Sequence, residues 1–278
     1  MKTYICTCDK LVNETMKMVD HFFPKYWPEC DLIVLGYKQP KYQSSFAKFD
    51  SLGKDIGTDV VCQQLYDYFN KIEDKHFIIG VDDQPLVSRV DQEMINYLEE
   101  VFKINNDIGR CSITLSNAKR SNSTIDVVNI NNRDVRIFEN HEGVPYKLSI
   151  VYSIFNKEYF LKYLPTCTNL WDWEVNASQR SINDGWRIIG TEPSALDYTH
   201  LLKHGGLRSD WNYSTEGLEP KYLSQEEQKM IAEGYKLVDG AVRGKYATII
   251  GKKNKKYREM VKLLNKNKKP YPKRNYAE

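Results

Sequence analysis

The sequence predicts an α/β layer fold on three observations. Strand-like and helix-like signals alternate through the first 115 residues. The run "DLIVLGY" (31–37) is apolar almost throughout, as expected where both faces of a parallel sheet are covered. Carboxylates follow the ends of two strand candidates, Asp9 after the first and Asp82 with Asp83 after a later one. In open α/β sheets the ligand crevice lies beyond the carboxyl ends of the strands.

Taken in order, "TYICTC" (3–8) is short and rich in β-formers. Met16, Val19, Phe22 and Phe23 then share helical spacing, and Pro24 and Pro28 are expected to close that helix. The polar, glycine-containing stretch 39–59 reads as a long loop, a length that in compact domains usually carries function or motion. Asp59 is expected to cap a helix whose Val61, Leu65, Tyr68, Phe69 and Ile72 form one face. "HFIIGV" (76–81) is the next strand, Asp91 caps the helix that carries Met94, Ile95, Leu98, Val101 and Phe102, and "CSITLS" (111–116) is a fourth strand.

The second half is less regular. "STIDVVNI" (123–130) and "DVRIFEN" (134–140) read as paired strands, and "YKLSIVYSIF" (146–155) as a longer one. Asn156 opens a short helix through Phe160, Leu161 and Leu164, and Ser224 with Glu227 has the spacing of a capping box. "YKLVDGAVRGKY" (235–246) carries an Asp-Gly hairpin signal. With no internal repeat and no linker before residue 250, one domain over 1–250 is expected, in halves 1–115 and 116–250, followed by a basic tail over 251–278.

Composition narrows the class. The chain has 278 residues, 41% hydrophobic and 28% charged, which fits a globular protein. It has no apolar run near the roughly 20 residues that span a bilayer. "MKTYICTCDK" does not read as a signal peptide, so a cytoplasmic protein is expected. Six cysteines show no CxxC pair or zinc-finger spacing and read as free thiols. The net charge of +3 conceals a tail with eleven Lys or Arg against two Glu from residue 252 onward. Such a tail suits a solvated end or peripheral contact with an anionic membrane surface, and no groove-reading motif points to specific nucleic-acid recognition.

The chemistry-bearing stretch is "HFIIGVDDQPLVSRVD" (76–91). Two adjacent carboxylates raise each other's pKa unless a cation or hydrogen-bond donors compensate them. A hard divalent cation such as Mg²⁺ or Mn²⁺ takes one or two carboxylates from protein and its other ligands from phosphate and water. A plain turn-capping role for Asp82 or Asp83 is the simpler alternative. A second crowded segment, "LWDWEVNASQRS" (170–181), sets tryptophans, acids and an arginine within a few positions.

Asp9 in a loop after the first strand, "IIGVDDQPL", and "LWDWEVNASQRS" about 90 residues later together resemble the GT-A class of nucleotide-sugar glycosyltransferases, over roughly residues 1–250. The likeness is to small bacterial and viral members in which a Trp-Glu segment precedes a Ser-x-Arg-Ser helix. It implies a Rossmann-type mixed sheet flanked by helices, with a less regular α+β C-terminal half. It further implies transfer of a sugar from a nucleotide-sugar donor to a carbohydrate, lipid-linked glycan or other hydroxyl acceptor, assisted by Mn²⁺ or Mg²⁺. On this resemblance Asp82 contacts the donor, Asp83 is the metal-side carboxylate, and Thr7, Asp9 and Lys10 line the nucleotide pocket. His204 would be a further metal ligand, beside Gly205 and Gly206. The usual Asp-x-Asp pattern has an acid at its third position, where this chain has Gln84, a neutral and poorer ligand.

Sugar transfer needs a base for the acceptor hydroxyl, a surface for a sugar ring and positive charge for the leaving diphosphate. Glu174 or Asp172 could serve as the base, Trp171 and Trp173 as the platform, and Arg180 as the charge, with Lys203, Arg208, Arg243 and Lys245 as further cations. The bland alternative makes the tryptophans core residues and pairs Glu174 with Arg180. Two other functions fit less well. A sugar-nucleotide nucleotidyltransferase would show a glycine-rich loop after the first strand, and "CTCDKLVNET" has no glycine. A non-catalytic carbohydrate or polyanion-binding module would bind through the aromatic cluster and turn nothing over.

Overall fold

The computed structural model describes residues 1–115, 122–142, 146–203, 206–208, 210–214 and 221–236. Its centre is a nine-stranded mixed sheet in the order β3-β2-β1-β4-β8-β5-β9-β7-β6. The strands are β1 (Lys2–Cys6), β2 (Asp31–Gly36), β3 (Lys48–Ser51), β4 (His76–Val81), β5 (Ile108–Ser112), β6 (Asn122–Ile130), β7 (Arg133–Asn140), β8 (Ser153–Asn156) and β9 (Arg187–Glu192). The block β3-β2-β1-β4 is parallel, and β8 lies antiparallel between β4 and β5. β5 pairs parallel with β9, and the β6–β7 hairpin completes the sheet. Strands from the two halves of the chain therefore interleave in one sheet.

Helices cover both faces, which is why the central strands are apolar at nearly every position. On one face Ile5, Val34, Ile78 and Ile154 pack with Met16, Val19 and Phe23 of α1 (Val12–Tyr26) and Met94 and Leu98 of α3 (Gln92–Ile104). On the other, Tyr4, Leu35, Phe77, Ile79 and Phe155 pack with Leu65 and Phe69 of α2 (Val61–Phe69) and Phe160 of α4 (Lys157–Tyr163). The period-two alternation of side chains along each strand assigns neighbours to opposite faces.

Local chemistry accounts for several boundaries. Asp91 caps α3, its carboxylate accepting from Met94 N at 3.0 Å, and it also pairs with Arg133. Asp91→Ala is expected to cost about 1 kcal/mol, seen as a lower urea midpoint with an unchanged slope. Asn156 caps α4 through Glu158 N at 2.9 Å. The β6–β7 turn places Asn131 and Asn132 at φ 53° and 59°, the left-handed pair of a two-residue hairpin. Ser224 and Glu227 make both bonds of the capping box at the start of α7 (Gln225–Lys236). Glu227 also binds Lys25 at 2.7 Å and so docks α7 on α1.

Other expectations are corrected. α1 runs through Pro24 and ends at Tyr26, since Pro removes one amide but leaves the remaining helical bonds of the final turn. The loop 39–59 contains β3, an edge strand on β2. Asp59 sits inside a 3₁₀ turn (Thr58–Val60) that leads into α2 and gives no side-chain cap. Of the expected strand 146–155 only residues 153–155 pair in the sheet, within β8, and β9 carries the strand that the pattern did not announce. The hairpin at 235–246 and the basic tail lie outside the described residues, apart from the end of α7.

Candidate functional site

Strand order reverses at β1: the chain moves outward to β2 and β3, then returns to β4 on the other side of β1. The loops after β1 and β4 diverge there and open the crevice of such sheets. Thr7 N bonds Leu35 O at 2.8 Å and Asp82 N bonds Cys6 O at 3.1 Å, so both residues extend the sheet at this point. Thr7 Oγ1 donates to Asp82 Oδ2 at 2.7 Å and lies 2.9 Å from Thr15 Oγ1 on α1. Asp9 Oδ1 accepts from Lys38 N at 2.8 Å, joining the loop after β1 to the loop after β2, with Lys10 exposed beside it.

Asp83 is held by a different partner. Residues 85–87 run antiparallel to 197–199, with a bridge between Leu86 and Tyr198 and bonds from Val87 N to Asp197 O and Thr199 N to Pro85 O. Leu201 N then bonds Asp83 O at 2.8 Å. This pairing brings His200 against the carboxylates, its Nδ1 4.0 Å from Asp83 Oδ2. His200 Nε2 lies 3.2 Å from the Tyr198 hydroxyl and 3.5 Å from Gln84 Nε2. Gln84 is buried, and its Oε1 has no hydrogen-bond partner among the described residues. Beyond His200, Arg208 forks onto Asp210 with two bonds of 2.8 Å. A polar cavity of about 60 Å³ lies among Tyr198, Thr199, His200, Arg208, Asp210 and Tyr213, room for a few waters.

The electrostatics follow from this burial. Asp82 is pushed up to about 6 by burial, against hydrogen bonds from Thr7 and the Cys8 amide. Asp83 is pushed up to about 7, first by burial and then by the charge of Asp82, while the Leu202 amide and Arg208 pull it down. His200 is pushed down to about 4 by burial and by Arg208, so its imidazole is neutral at neutral pH. Two carboxylates that ionise reluctantly, beside a neutral imidazole, fit a cation better than they fit each other. Among the described residues no group of three or more His, Cys, Asp or Glu side chains is arranged to hold a metal unaided. The donors fit a cation that takes its remaining ligands from substrate and water.

The second predicted segment is a broken helix: α5 (Leu170–Asp172), a π-helical turn (Trp173–Ala177) and α6 (Ser178–Arg180). Trp173 is corrected from platform to core, because it is 0% exposed and packs on Phe155 and Phe160. Trp171, two residues earlier, is 50% exposed. Asp172 accepts from Thr168 N at 2.9 Å, which ties it to the turn before it, and from Asn176. Glu174 accepts from Ser149 Oγ at 2.9 Å and Ile150 N at 3.2 Å, rather than from Arg180. Arg180 is exposed and donates to Thr166 O at 2.9 Å. Because β8 is antiparallel to β4, with Ser153 opposite Ile79, the segment that Glu174 grips enters the sheet at the edge where β4 ends in Asp82 and Asp83.

His204, Gly205, Arg243 and Lys245 lie outside the described residues. His200 is the residue that sequence reasoning missed. Its only local signal was a position four residues before His204, and the pairing that delivers it joins segments more than 100 residues apart.

No family model matches the chain, and no curated protein matches it either. Solved structures share its general layout. CMP:2-keto-3-deoxy-manno-octonic acid synthetase complexed with CTP is similar at 15% identity and a TM-score of 0.41, over 70% of this chain and 90% of that one. A cytidylyltransferase from Leptospira borgpetersenii is similar at 9% and 0.40, over 86% and 96%. The glycosyltransferase GlyE of Streptococcus pneumoniae is similar at 8% and 0.40, over 94% and 64%. None of these likenesses reaches a TM-score of 0.5, and none assigns a reaction to the chain. No helix among the described residues is long and apolar enough to cross a membrane.

Proposed function

We propose that the protein is a glycosyltransferase that moves a sugar from a nucleotide-sugar donor to a hydroxyl acceptor. The observation that carries this reading is the Asp82–Asp83 pair at the point where strand order reverses, backed by Thr7 and faced by His200. Breaking a sugar–phosphate bond develops negative charge on the departing nucleoside diphosphate, and fixed positive charge stabilises it. Asp83, with His200 beside it, would hold a divalent cation such as Mn²⁺ or Mg²⁺, which would take its other ligands from substrate and water and supply that charge. Arg208, at the wall of the adjoining polar cavity, adds a permanent cation.

Thr7, Asp9 and Lys10 would line the nucleotide side of the crevice, with Asp82 toward the donor. Glu174 is the candidate base for the acceptor hydroxyl, Trp171 the candidate surface for a sugar ring, and Arg180 a further cation. The acceptor would be a carbohydrate or a lipid-linked glycan, and the basic tail would favour one at the cytoplasmic face of a membrane. The same acidic pair would also serve nucleotidyl transfer, and the products tell the two reactions apart.

Melting temperature against UDP, GDP, CMP and dTDP sugars, each with and without Mn²⁺, tests the reading. One nucleotide class is expected to raise the midpoint by several degrees in a Mn²⁺-dependent way, as binding to the native state alone requires. Asp83→Ala is expected to abolish the rise. Release of a nucleoside mono- or diphosphate from the stabilising sugar nucleotide identifies sugar transfer. Diphosphate released from a nucleoside triphosphate and a sugar phosphate identifies nucleotidyl transfer instead. Absence of any nucleotide-dependent shift would sink both.

A further inference from the structure

We propose that Gln84 is a positioning residue that holds His200 in its Nε2–H form, so that the Nδ1 lone pair and Asp83 Oδ2 make the nitrogen–oxygen half of a divalent-cation site. The cation role rests on the reading of Asp83 given above; the ring orientation does not.

The two nitrogens of His200 have separate neighbours. Nε2 meets Gln84 and Tyr198, while Nδ1 faces Asp83 Oδ2 at 4.0 Å, too far for a hydrogen bond. The Gln84 side chain is 2% exposed and has a fixed seat, its backbone carbonyl accepting from the Tyr152 hydroxyl at 2.9 Å. A carboxamide has two orientations of the same shape. With the amino group on His200, Oε1 is buried without a donor among the described residues, which is the costly arrangement for a polar atom. With the carbonyl turned to His200, Oε1 accepts the Nε2 proton, and the amino group takes the place in which the acceptor had no donor. The ring then presents a bare Nδ1 toward the carboxylates. Donation of the second ring N–H to an oxygen acceptor is how proteins orient an imidazole that binds a metal.

This gives the third position of "DDQ" a physical purpose. A carboxylate at residue 84 would add a third negative charge to a buried pair and would favour the imidazolium, which has no lone pair to offer. A neutral carbonyl fixes the ring without either effect. The cation suited to one imidazole nitrogen and carboxylate oxygens is a first-row transition-series ion, Mn²⁺, Co²⁺ or Zn²⁺, rather than Ca²⁺.

The test uses the full chain, metal-free and ¹⁵N-labelled at its five histidines, with His200→Gln assigning the signals. Long-range ¹H–¹⁵N correlation at one neutral pH is expected to show the protonated nitrogen at Nε2, and Gln84→Leu is expected to give a mixture of both forms. Gln84→Met serves if the leucine variant does not fold. Titration with Co²⁺ alone is expected to show affinity at least about tenfold weaker in Gln84→Met and lost in His200→Ala. A wild-type proton on Nδ1, a tautomer unmoved by either substitution, or unchanged Co²⁺ affinity would each overturn the proposal. An Nε2–H ring with intact Co²⁺ binding but no response to any nucleotide would leave this site standing and remove the transferase reading. A nucleotide response with an Nδ1–H ring would do the reverse.

Discussion

Replacing Asp83 by Asn is expected to make the ligand-free protein more stable at pH 8 and to give a much smaller gain at pH 4.5. Asp83 has its folded pKa raised to about 7 by burial and by Asp82, above the ordinary carboxylate value in the unfolded chain. A group raised on folding contributes its full stability below the unfolded pKa and loses it as pH rises through the folded one. Above pH 7 the folded protein therefore carries a charge that it holds at a cost. Its side chain is 20% exposed, so a shift of this size, discounted for residual solvation, corresponds to a gain on the order of 2 kcal/mol. For a chain this long that is roughly 4–6 °C in melting temperature. Calorimetry at the two pH values without divalent ions checks it, and equal midpoints for wild type and variant at pH 8 would refute it. A site whose removal stabilises the fold is one kept for function.

The largest loss is expected at Arg110. Its guanidinium is fully buried and donates to Ser149 O at 3.0 Å, Lys147 O at 3.1 Å and Ser153 Oγ at 2.7 Å. These bonds shape residues 147–153 at the entry to β8, the same stretch whose Ser149 and Ile150 meet Glu174. Arg110→Met keeps most of the volume but strands two carbonyls away from water and leaves the Ser153 hydroxyl only its bond to Val151 O. The expected loss is about 3–5 kcal/mol, measured by urea denaturation. Arg110→Lys is expected to recover only part of it, because one ammonium cannot span the three acceptors. A methionine variant as stable as wild type would show that the stretch holds its shape without the guanidinium.

The parts of the molecule legible in the sequence are those set by neighbours in the chain. "HFIIGV" reads as a strand ending on two acids because each apolar residue needs cover on one face or the other. The caps at Asp91 and Asn156 and the box at Ser224 and Glu227 are readable because a side chain bonds amides two or three residues away. The site was half legible for the same reason: Asp82 and Asp83 stand out locally, whereas His200 arrives through long-range pairing that no periodicity announces. Trp171 and Trp173 show the limit most plainly. They share one local context, yet about half a turn of helix sends one to solvent and the other into the core. β9 and β3 went unseen because a short run beside loop-like residues has no period long enough to register.

β8 has a bearing on how the chain is made. It fills the slot between β4 and β5, so those two strands, though successive in the first 115 residues, never touch each other in the sheet. A nascent chain that has emerged only through β5 holds four parallel strands and a fifth with no partner beside it. The sheet closes only when residues 153–156 emerge and insert, and β9 must follow to cover the far side of β5. During synthesis the carboxylate pair at the end of β4 thus waits on an open edge, and the wall that will face it, residues 197–201, is among the last parts of the sheet edge to appear. The crevice is completed from its late-made side, and its first-made half has no cover of its own before then.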